Sequence, residues 1–283
     1  MTLAFPLKIS YNRTMNQTQI KTFDCHLHTH HSWDSSETMR AHCKRAVALG
    51  ADAVCFTDHL DFVGQGLGCF EPEAFFGELA RVREEFAQRL EILAGIEFSE
   101  PHLRPKELEE ANRLPYDFIL GSLHDWLWQD DSKTKASPHM YQFYKGRLPK
   151  DARAASFALY WENIRQMAAC GGFDAIAHLD FPKRYLRSLE YEPEALGEIF
   201  ALLIKNNIAL EINTSSLRWG LAEPMPGEAL LRQYISLGGR YITLGSDAHR
   251  AEDLYANIPE ARAFAESLGL TPVYYKERRM ISV

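Results

Sequence analysis

The stretch Thr22-Phe23-Asp24-Cys25-His26-Leu27-His28 reads as a short strand that ends in two histidines. Successive strand residues point to opposite faces, so Asp24, His26 and His28 share one side while Cys25 and Leu27 share the other. Two imidazoles are thereby aimed at one point, and neutral imidazole is the commonest protein ligand for a transition metal. A lone His-x-His pair also has a bland reading as two satisfied core histidines, so its meaning depends on the rest of the chain.

Later segments repeat the pattern. Apolar, strand-like runs occur at 22–27, 51–57, 90–98, 116–122, 173–179, 208–214 and 240–246, seven in all. Helix-length stretches lie at 37–49, 72–90, 154–169, 193–206, 227–237 and 258–268, and a shorter charged link at 106–113 joins the third and fourth strands. Such alternation implies parallel strands joined by right-handed crossovers, and the nearly continuous apolar character is that of strands buried on both faces. A single-domain α/β barrel is expected rather than an open sheet, because reactive residues end almost every strand instead of gathering at one switch point. His26 and His28 end the first strand, with Asp34 in the loop beyond; His59 follows the second, Glu97 closes the third, His124 the fourth and His178 the fifth, and Asp247 and His249 follow the seventh. Imidazoles and carboxylates gathered at one barrel mouth are most cheaply satisfied by cations between them.

Composition sets the limits. The 283 residues are 46% hydrophobic and 24% charged, as in an ordinary globular chain with a sizeable core. A net charge of -7 with no basic stripe argues against a large nucleic-acid footprint. Cys25, Cys43, Cys55, Cys69 and Cys170 form no Cys-x-x-Cys pair and are odd in number, so a reducing, cytoplasmic setting without a disulfide framework is expected. No run has the length and apolarity of a signal peptide or membrane span, so no membrane partner is expected. Residues 1–22 read as an N-terminal extension, with Met15 as a second candidate start, and 23–283 as the catalytic domain.

The motifs His26-Leu-His-Thr-His-His-Ser32, Thr57-Asp-His59, Gly95-Ile-Glu97, Gly121-Ser-Leu-His124, Ala177-His-Leu-Asp180 and Ser246-Asp-Ala-His249 occur in order. In them the chain, from 23 to 249, resembles the polymerase and histidinol phosphatase (PHP) superfamily. The resemblance implies a distorted (β/α)7 barrel holding three divalent metal ions, of which Zn, Mn or Fe suit an imidazole-rich mixed site. It puts the first ion on His26, His28, Glu97 and Asp247, the second on Glu97, His124 and His178, and the third on Asp34, His59 and His249. Asp34 stands where some members carry histidine. Glu97 would bridge, and the catalytic work would fall on Glu97, Asp247 and His249. Three divalent ions against three carboxylates leave a positive centre that attracts a phosphate dianion despite the acidic surface.

The implied reaction is metal-assisted hydrolysis of a small phosphomonoester, with no serine or cysteine nucleophile. The segments AHLD-FPKRY, EINTSSLR and TLGSDAH resemble the histidinol-phosphate branch most, so L-histidinol phosphate is the expected substrate and histidine biosynthesis the expected setting. A nucleotide or another small phosphate ester is the alternative. An amidohydrolase also starts with His-x-His in a barrel but usually bridges its metals with a lysine on the fourth strand, where this chain has His124. A non-catalytic barrel is disfavoured because no expected ligand is missing.

Lys183 and Arg184 after the fifth strand, and Asn213 and Arg218 after the sixth, are the candidate phosphate-binding residues, arginine's planar fork being suited to phosphate. The loops 59–71 and 129–153 are long enough to form a lid, with Asp61 and Tyr141 expected to face the amino-imidazole end of the substrate. His30 and His31 read as loop residues beside the site. His42 and His139 read as surface histidines that tolerate replacement, and His102 as a loop histidine, with general acid as its less favoured role.

Overall fold

A computed structural model of the chain describes residues 21–126 and 142–283. Its parallel strands are β1 (Phe23–Leu27), β2 (Ala53–Phe56), β3 (His59–Leu60), β4 (Glu91–Ser99), β5 (Phe118–Ser122), β6 (Ala175–Ile176), β7 (Ala209–Asn213), β8 (Tyr241–Gly245) and β9 (Thr271–Lys276), with β10 (Arg279–Ser282) antiparallel to β9. Neighbours run in the order β1-β2-β4-β5-β6-β7-β8, and the two-residue β3 pairs the far end of β4. The ring closes at its carboxyl end, where Leu27 and Ala248 form a parallel bridge and the His28 N–H donates to the Ala248 carbonyl at 2.9 Å. At the amino end β8 pairs instead with β9, whose Tyr274 ring lies 5.9 Å from Phe23 of β1. The result is a seven-stranded barrel distorted by an inserted C-terminal hairpin.

Around it run α1 (Met39–Leu49), α2 (Pro72–Phe86), α3 (Pro105–Ala111), α4 (Lys150–Cys170), α5 (Pro182–Leu186), α6 (Pro193–Lys205), α7 (Ser215–Arg218), α8 (Glu228–Ser236) and α9 (Ile258–Ser267). Their buried residues recur at helical spacing, as Phe75, Leu79, Val82 and Phe86 do on α2, so each helix lays one stripe on the sheet. The Thr38 hydroxyl caps α1 by accepting the Ala41 N–H at 3.1 Å.

The seven expected strands are present, and the charged link at 106–113 is the helix α3. β3, β9 and β10 were not expected. β3 is too short to show a period, β9 carries Pro272, and β10 is only half-buried and has no apolar run. The stretch 182–186 and the stretch 215–218, both outside the helix-length stretches of the sequence, are the short helices α5 and α7 at the barrel mouth. β6 is only two residues long because His178 turns out of the strand with φ 25°. The loop 59–71 begins as β3, and the loop 129–153 ends within α4; residues 127–141, with His139 and Tyr141, lie outside the described residues. Lys21 and Thr22 already donate their N–H groups to Asp52 Oδ2 at 2.9 Å, slightly ahead of the boundary expected at residue 23. No described helix is long and apolar enough to cross a membrane.

β4 packs closely against β2 at Gly95, where a Cβ would stand 2.7 Å from Cys55 Sγ and 2.8 Å from the Phe56 carbonyl oxygen. Backbone cannot yield there, so Gly95→Ala is expected to destabilise the protein by about 1–3 kcal/mol through overpacking. Denaturant midpoints of the two proteins measure this, and an unchanged midpoint would mean that the sheet yields.

Candidate metal centre

Glu97 lies near the carboxyl end of β4, fully buried and paired in register with His59 of β3. Its Oε2 lies 3.2 Å from His26 Nε2, 3.5 Å from His28 Nε2 and 3.0 Å from His59 Nδ1, while its Oε1 lies 3.3 Å from His124 Nε2 and 3.1 Å from His178 Nε2. Asp247 Oδ1 stands 3.4 Å from His28 Nε2, and Asp34 Oδ2 stands 3.0 Å from His249 Nε2 and 3.5 Å from His59 Nε2. The nine residues singled out as metal ligands therefore meet at one mouth, drawn from β1, β3, β4 and the segments after β1, β5, β6 and β8. Three overlapping groups among them could each hold an ion: His28, Asp34, His59 and His249; His26, His28 and Glu97; and His59, Glu97 and His124.

The protons decide what this cluster is suited to hold. Ser32 Oγ gives its one proton to Asp58 Oδ1 at 2.8 Å, so toward His28 Nδ1 at 3.1 Å it can only accept. Ser99 Oγ likewise donates to Asp61 Oδ1 at 2.5 Å and accepts from His124 Nδ1 at 3.2 Å. His249 Nδ1 faces the Asp247 carbonyl at 3.1 Å and His26 Nδ1 faces Glu211 Oε1 at 2.6 Å. In each ring the proton is held on the outside, and a neutral ring turns an Nε2 lone pair inward. There the lone pairs crowd: His26 and His28 Nε2 are 3.0 Å apart, His124 and His178 Nε2 are 3.4 Å apart, and the buried His59 Nδ1 makes no hydrogen bond despite its closeness to Glu97. Converging lone pairs with externally anchored protons fit divalent cations, as metal-bound histidines are usually held.

The electrostatics show how tightly these groups are coupled when no cation lies between them. Burial opposes charge on His26, but Glu211, Glu97 and Asp247 hold its pKa well above the usual imidazole value. Burial together with His249 and His59 drives His28 well below it. Glu97, although buried, is kept ionised by His26, His59 and His124, and Asp247 by His26 and Arg184.

Several residues around the nine were not singled out from sequence. Glu211 of β7 holds His26 through Oε1 and accepts the His178 N–H through Oε2 at 2.8 Å. Its signal was a carboxylate inside the apolar run IALEINT, on the same strand face as Asn213. Asp58 accepts from the Thr29 N–H at 2.5 Å and from both the Thr29 and Ser32 hydroxyls, which fixes the turn after His28. Asp24 accepts the N–H groups of Ser246 and Tyr255, each at 2.9 Å, and so ties the chain around Asp247 to β1.

The structure separates the four residues singled out for phosphate. Arg184 is buried, donates to Asp247 Oδ2 at 2.7 Å and to Ser215 Oγ, and leaves its Nε without an acceptor. Asn213 contacts Glu211 at 3.2 Å and Asp247 at 3.4 Å. Arg218 donates to the carbonyls of Ser246 at 2.7 Å and Asp247 at 3.1 Å. Lys183 pairs with Asp180 at 2.7 Å and Glu223 at 3.1 Å. Asp61 accepts from Ser99 and from Trp33 Nε1 at 3.0 Å, beside His124.

One histidine reading is corrected, and the less favoured role of another finds no support. His42 is not a surface residue: it is fully buried on α1 and donates Nε2–H to the His28 carbonyl at 3.0 Å, because 39, 42, 43 and 46 form the buried stripe of that helix. His102 does not present a free acid to the centre, since its Nε2 is bonded to Asn163 of α4 at 2.9 Å and its Nδ1 is buried without a partner. His30 and His31 pair with Glu78 instead of joining the nine.

Fold and site together define a β/α barrel with a histidine-rich candidate metal centre at its mouth. The PHP domain family model matches residues 24–215, and the chain belongs to that family. Among its relatives, the histidinol-phosphatase of Lactococcus lactis is 29% identical over 88% of this chain and 92% of its own length. A probable histidinol-phosphatase of Clostridium acetobutylicum is 26% identical over 91% of this chain and 98% of its own. The crystal structure of the Lactococcus lactis histidinol phosphate phosphatase, complexed with zinc, L-histidinol and phosphate, superposes with a TM-score of 0.70 at 24% identity, covering 92% of this chain and 99% of that one. A histidinol phosphatase structure from Listeria monocytogenes, described as putative, gives 0.66 at 17% identity, covering 84% and 99%.

Glu211→Gln is expected to lower metal affinity about 10–100-fold, the usual effect of losing the partner that orients a metal-binding histidine. Equilibrium dialysis measures it, and unchanged affinity would remove Glu211 from that role. His42→Ala is expected to cost about 2–4 kcal/mol, from the cavity and the orphaned His28 carbonyl, rather than being silent. Its unfolding free energy is the check, and a change below about 0.5 kcal/mol would restore the surface reading.

Proposed function

We propose that this chain is a cytoplasmic phosphoric monoester hydrolase that cleaves L-histidinol phosphate to L-histidinol and inorganic phosphate. One observation carries the catalytic part: a single buried carboxylate, Glu97, surrounded by five imidazoles, four of which approach through Nε2. Full-length relatives named histidinol-phosphatases support the substrate.

The residues would hold three divalent ions of Zn, Mn or Fe type. His26, His28, Glu97 and Asp247 would take the first, Glu97, His124 and His178 the second, and Asp34, His59 and His249 the third. When bound, such ions supply Lewis-acid charge to phosphoryl oxygens and lower the pKa of water toward neutrality. The protein's own part is positional. Glu97 and Asp247, kept ionised, set the spacing of the ligand groups, and His249 and Asp34 line the half-buried outer side. Arg184 keeps Asp247 in place and has an unpartnered Nε–H to offer a phosphate oxygen. Asn213 steadies Asp247, Arg218 steadies the backbone that carries it, and Lys183 steadies the turn after His178. In the net reaction water adds to phosphorus as the ester P–O bond breaks, and histidinol leaves with a proton on its oxygen. Asp61, beside His124, is an anionic group placed to meet a cationic substrate end.

Gently purified protein is expected to carry about three equivalents of transition metal, and Glu97→Gln and His124→Ala to lose metal and turnover together. Elemental analysis that found no metal, with full activity in chelator, would sink the assignment.

Substrate choice is read from kcat/KM for histidinol phosphate, nucleoside monophosphates and an aryl phosphate. A preference of about tenfold or more for histidinol phosphate, roughly 1.4 kcal/mol of transition-state binding, is expected. Arg184→Ala should lower kcat/KM for all three esters alike, since phosphate is what they share. A preference for nucleotides would replace the reading with that of a nucleotide phosphoesterase.

A further inference from the structure

The turn that leaves β1 carries two more histidines, and they meet a carboxylate outside the centre. His30 Nε2 and His31 Nε2 lie 3.2 and 3.1 Å from the same atom, Glu78 Oε2 on α2, and the three donor atoms all fall within 4.8 Å of one another. The two rings sit 4.4 Å apart. Four ligands at about 2.0–2.1 Å around a tetrahedral zinc are separated by roughly 3.3–3.4 Å, so the two N–O distances are close to the edges of such a site.

The hydrogen bonding supplies a second, independent observation. His30 Nδ1 faces the Glu37 carbonyl at 3.3 Å, and a carbonyl can only accept. The ring proton is thereby held on Nδ1, and a neutral His30 turns the Nε2 lone pair toward a carboxylate oxygen. Lone pair against lone pair is unfavourable, and a cation between them removes the conflict. His31 is 8% exposed and Glu78 15%, so both are largely positioned by packing, with the Phe75 and His31 ring centroids 5.7 Å apart in a T-shaped contact, while His30 at 43% leaves an entry route. The cluster opens on a depression of about 540 Å³ also lined by Glu71, Glu73 and Arg81, where the carboxylates outnumber the one arginine and so favour cations. Among the described residues no hydrogen bond, ion pair or ring contact joins either ring to the nine of the barrel mouth.

The geometry points to a peripheral divalent-metal site formed by His30, His31 and Glu78, of zinc-type chemistry, with its remaining position open to water. It is separate from the centre and takes no part in the hydrolysis. Three protein ligands with an open side make it the more exchangeable of the two.

The test is zinc stoichiometry of the metal-loaded enzyme, by equilibrium dialysis across buffered free zinc followed by elemental analysis. Wild type is compared with His30→Ala, Glu78→Gln and His124→Ala. The expected result is one exchangeable equivalent in wild type, weakened at least tenfold in His30→Ala and Glu78→Gln, which keep their remaining metal and their phosphatase activity. His124→Ala should lose metal from the centre yet keep the exchangeable equivalent, which separates failure at the centre from failure of this site. If His30→Ala and Glu78→Gln take up the same zinc as wild type at every free concentration, the cluster is a hydrogen-bonded pair of protonated histidines on Glu78 and the site does not exist.

Discussion

A buried carboxylate at the hub of five imidazoles is the constraint around which this barrel is arranged. Glu97 cannot be buried alone, because an uncompensated charge in the interior costs several kcal/mol. Its compensation comes from rings supplied by β1, β3 and the segments after β5 and β6, so strand order and ligand geometry answer to one requirement. Ring closure belongs to it as well. The His28 N–H that bonds Ala248 joins β1 to the segment carrying Asp247 and His249, and Asp24 bonds that segment again from two residues before His26.

Beyond the hub, what matters is where protons are stored. Ser32, Ser99, Glu211 and the Asp247 carbonyl each hold a ring proton away from the centre. The serines can do so only because their own protons are committed to Asp58 and Asp61. Each carboxylate therefore acts on a metal-type ligand through an intervening hydroxyl, and replacing either serine by alanine would free the tautomer as well as the position of the ring. That makes the serine of the opening motif a determinant of ligand chemistry, beyond its place in the turn.

The nine candidate ligands were legible because each sits at or just beyond the end of an apolar run, and parallel β/α topology sends all those ends to one face. The partners that orient them were less so. Glu211 announced a buried charge by standing inside IALEINT, but its period gave a face and no partner. His42 shows the opposite error: its place in the stripe 39, 42, 43, 46 was visible, and reading it as exposed gave its polarity more weight than its periodicity. The C-terminal hairpin escaped because Pro272 and the short, half-buried β10 erase the alternation that marks a strand. The family model, too, ends at residue 215, before Asp247 and His249, which only the closed ring brings to Glu97.

Backbone strain explains why two arginines that look equivalent in sequence differ in the fold. Asp247 takes φ 54° and His178 φ 25°, conformations that non-glycine residues enter only when their surroundings hold them. Glu211 holds the His178 N–H, and Arg218 holds the Ser246 and Asp247 carbonyls, which flank the Asp247 Cα. Arg218 is thus occupied in keeping the strained Asp247 backbone in place. Arg184 grips the side chain of the same Asp247 and still has a buried donor unfilled. An unfilled buried N–H costs roughly 1–3 kcal/mol, and an anion entering the mouth that accepts it recovers this energy on binding. The difference separates the two: Arg218 supports backbone, whereas Arg184 grips a side chain 63 residues away and keeps a buried N–H without an acceptor, an arrangement that only the closed barrel creates.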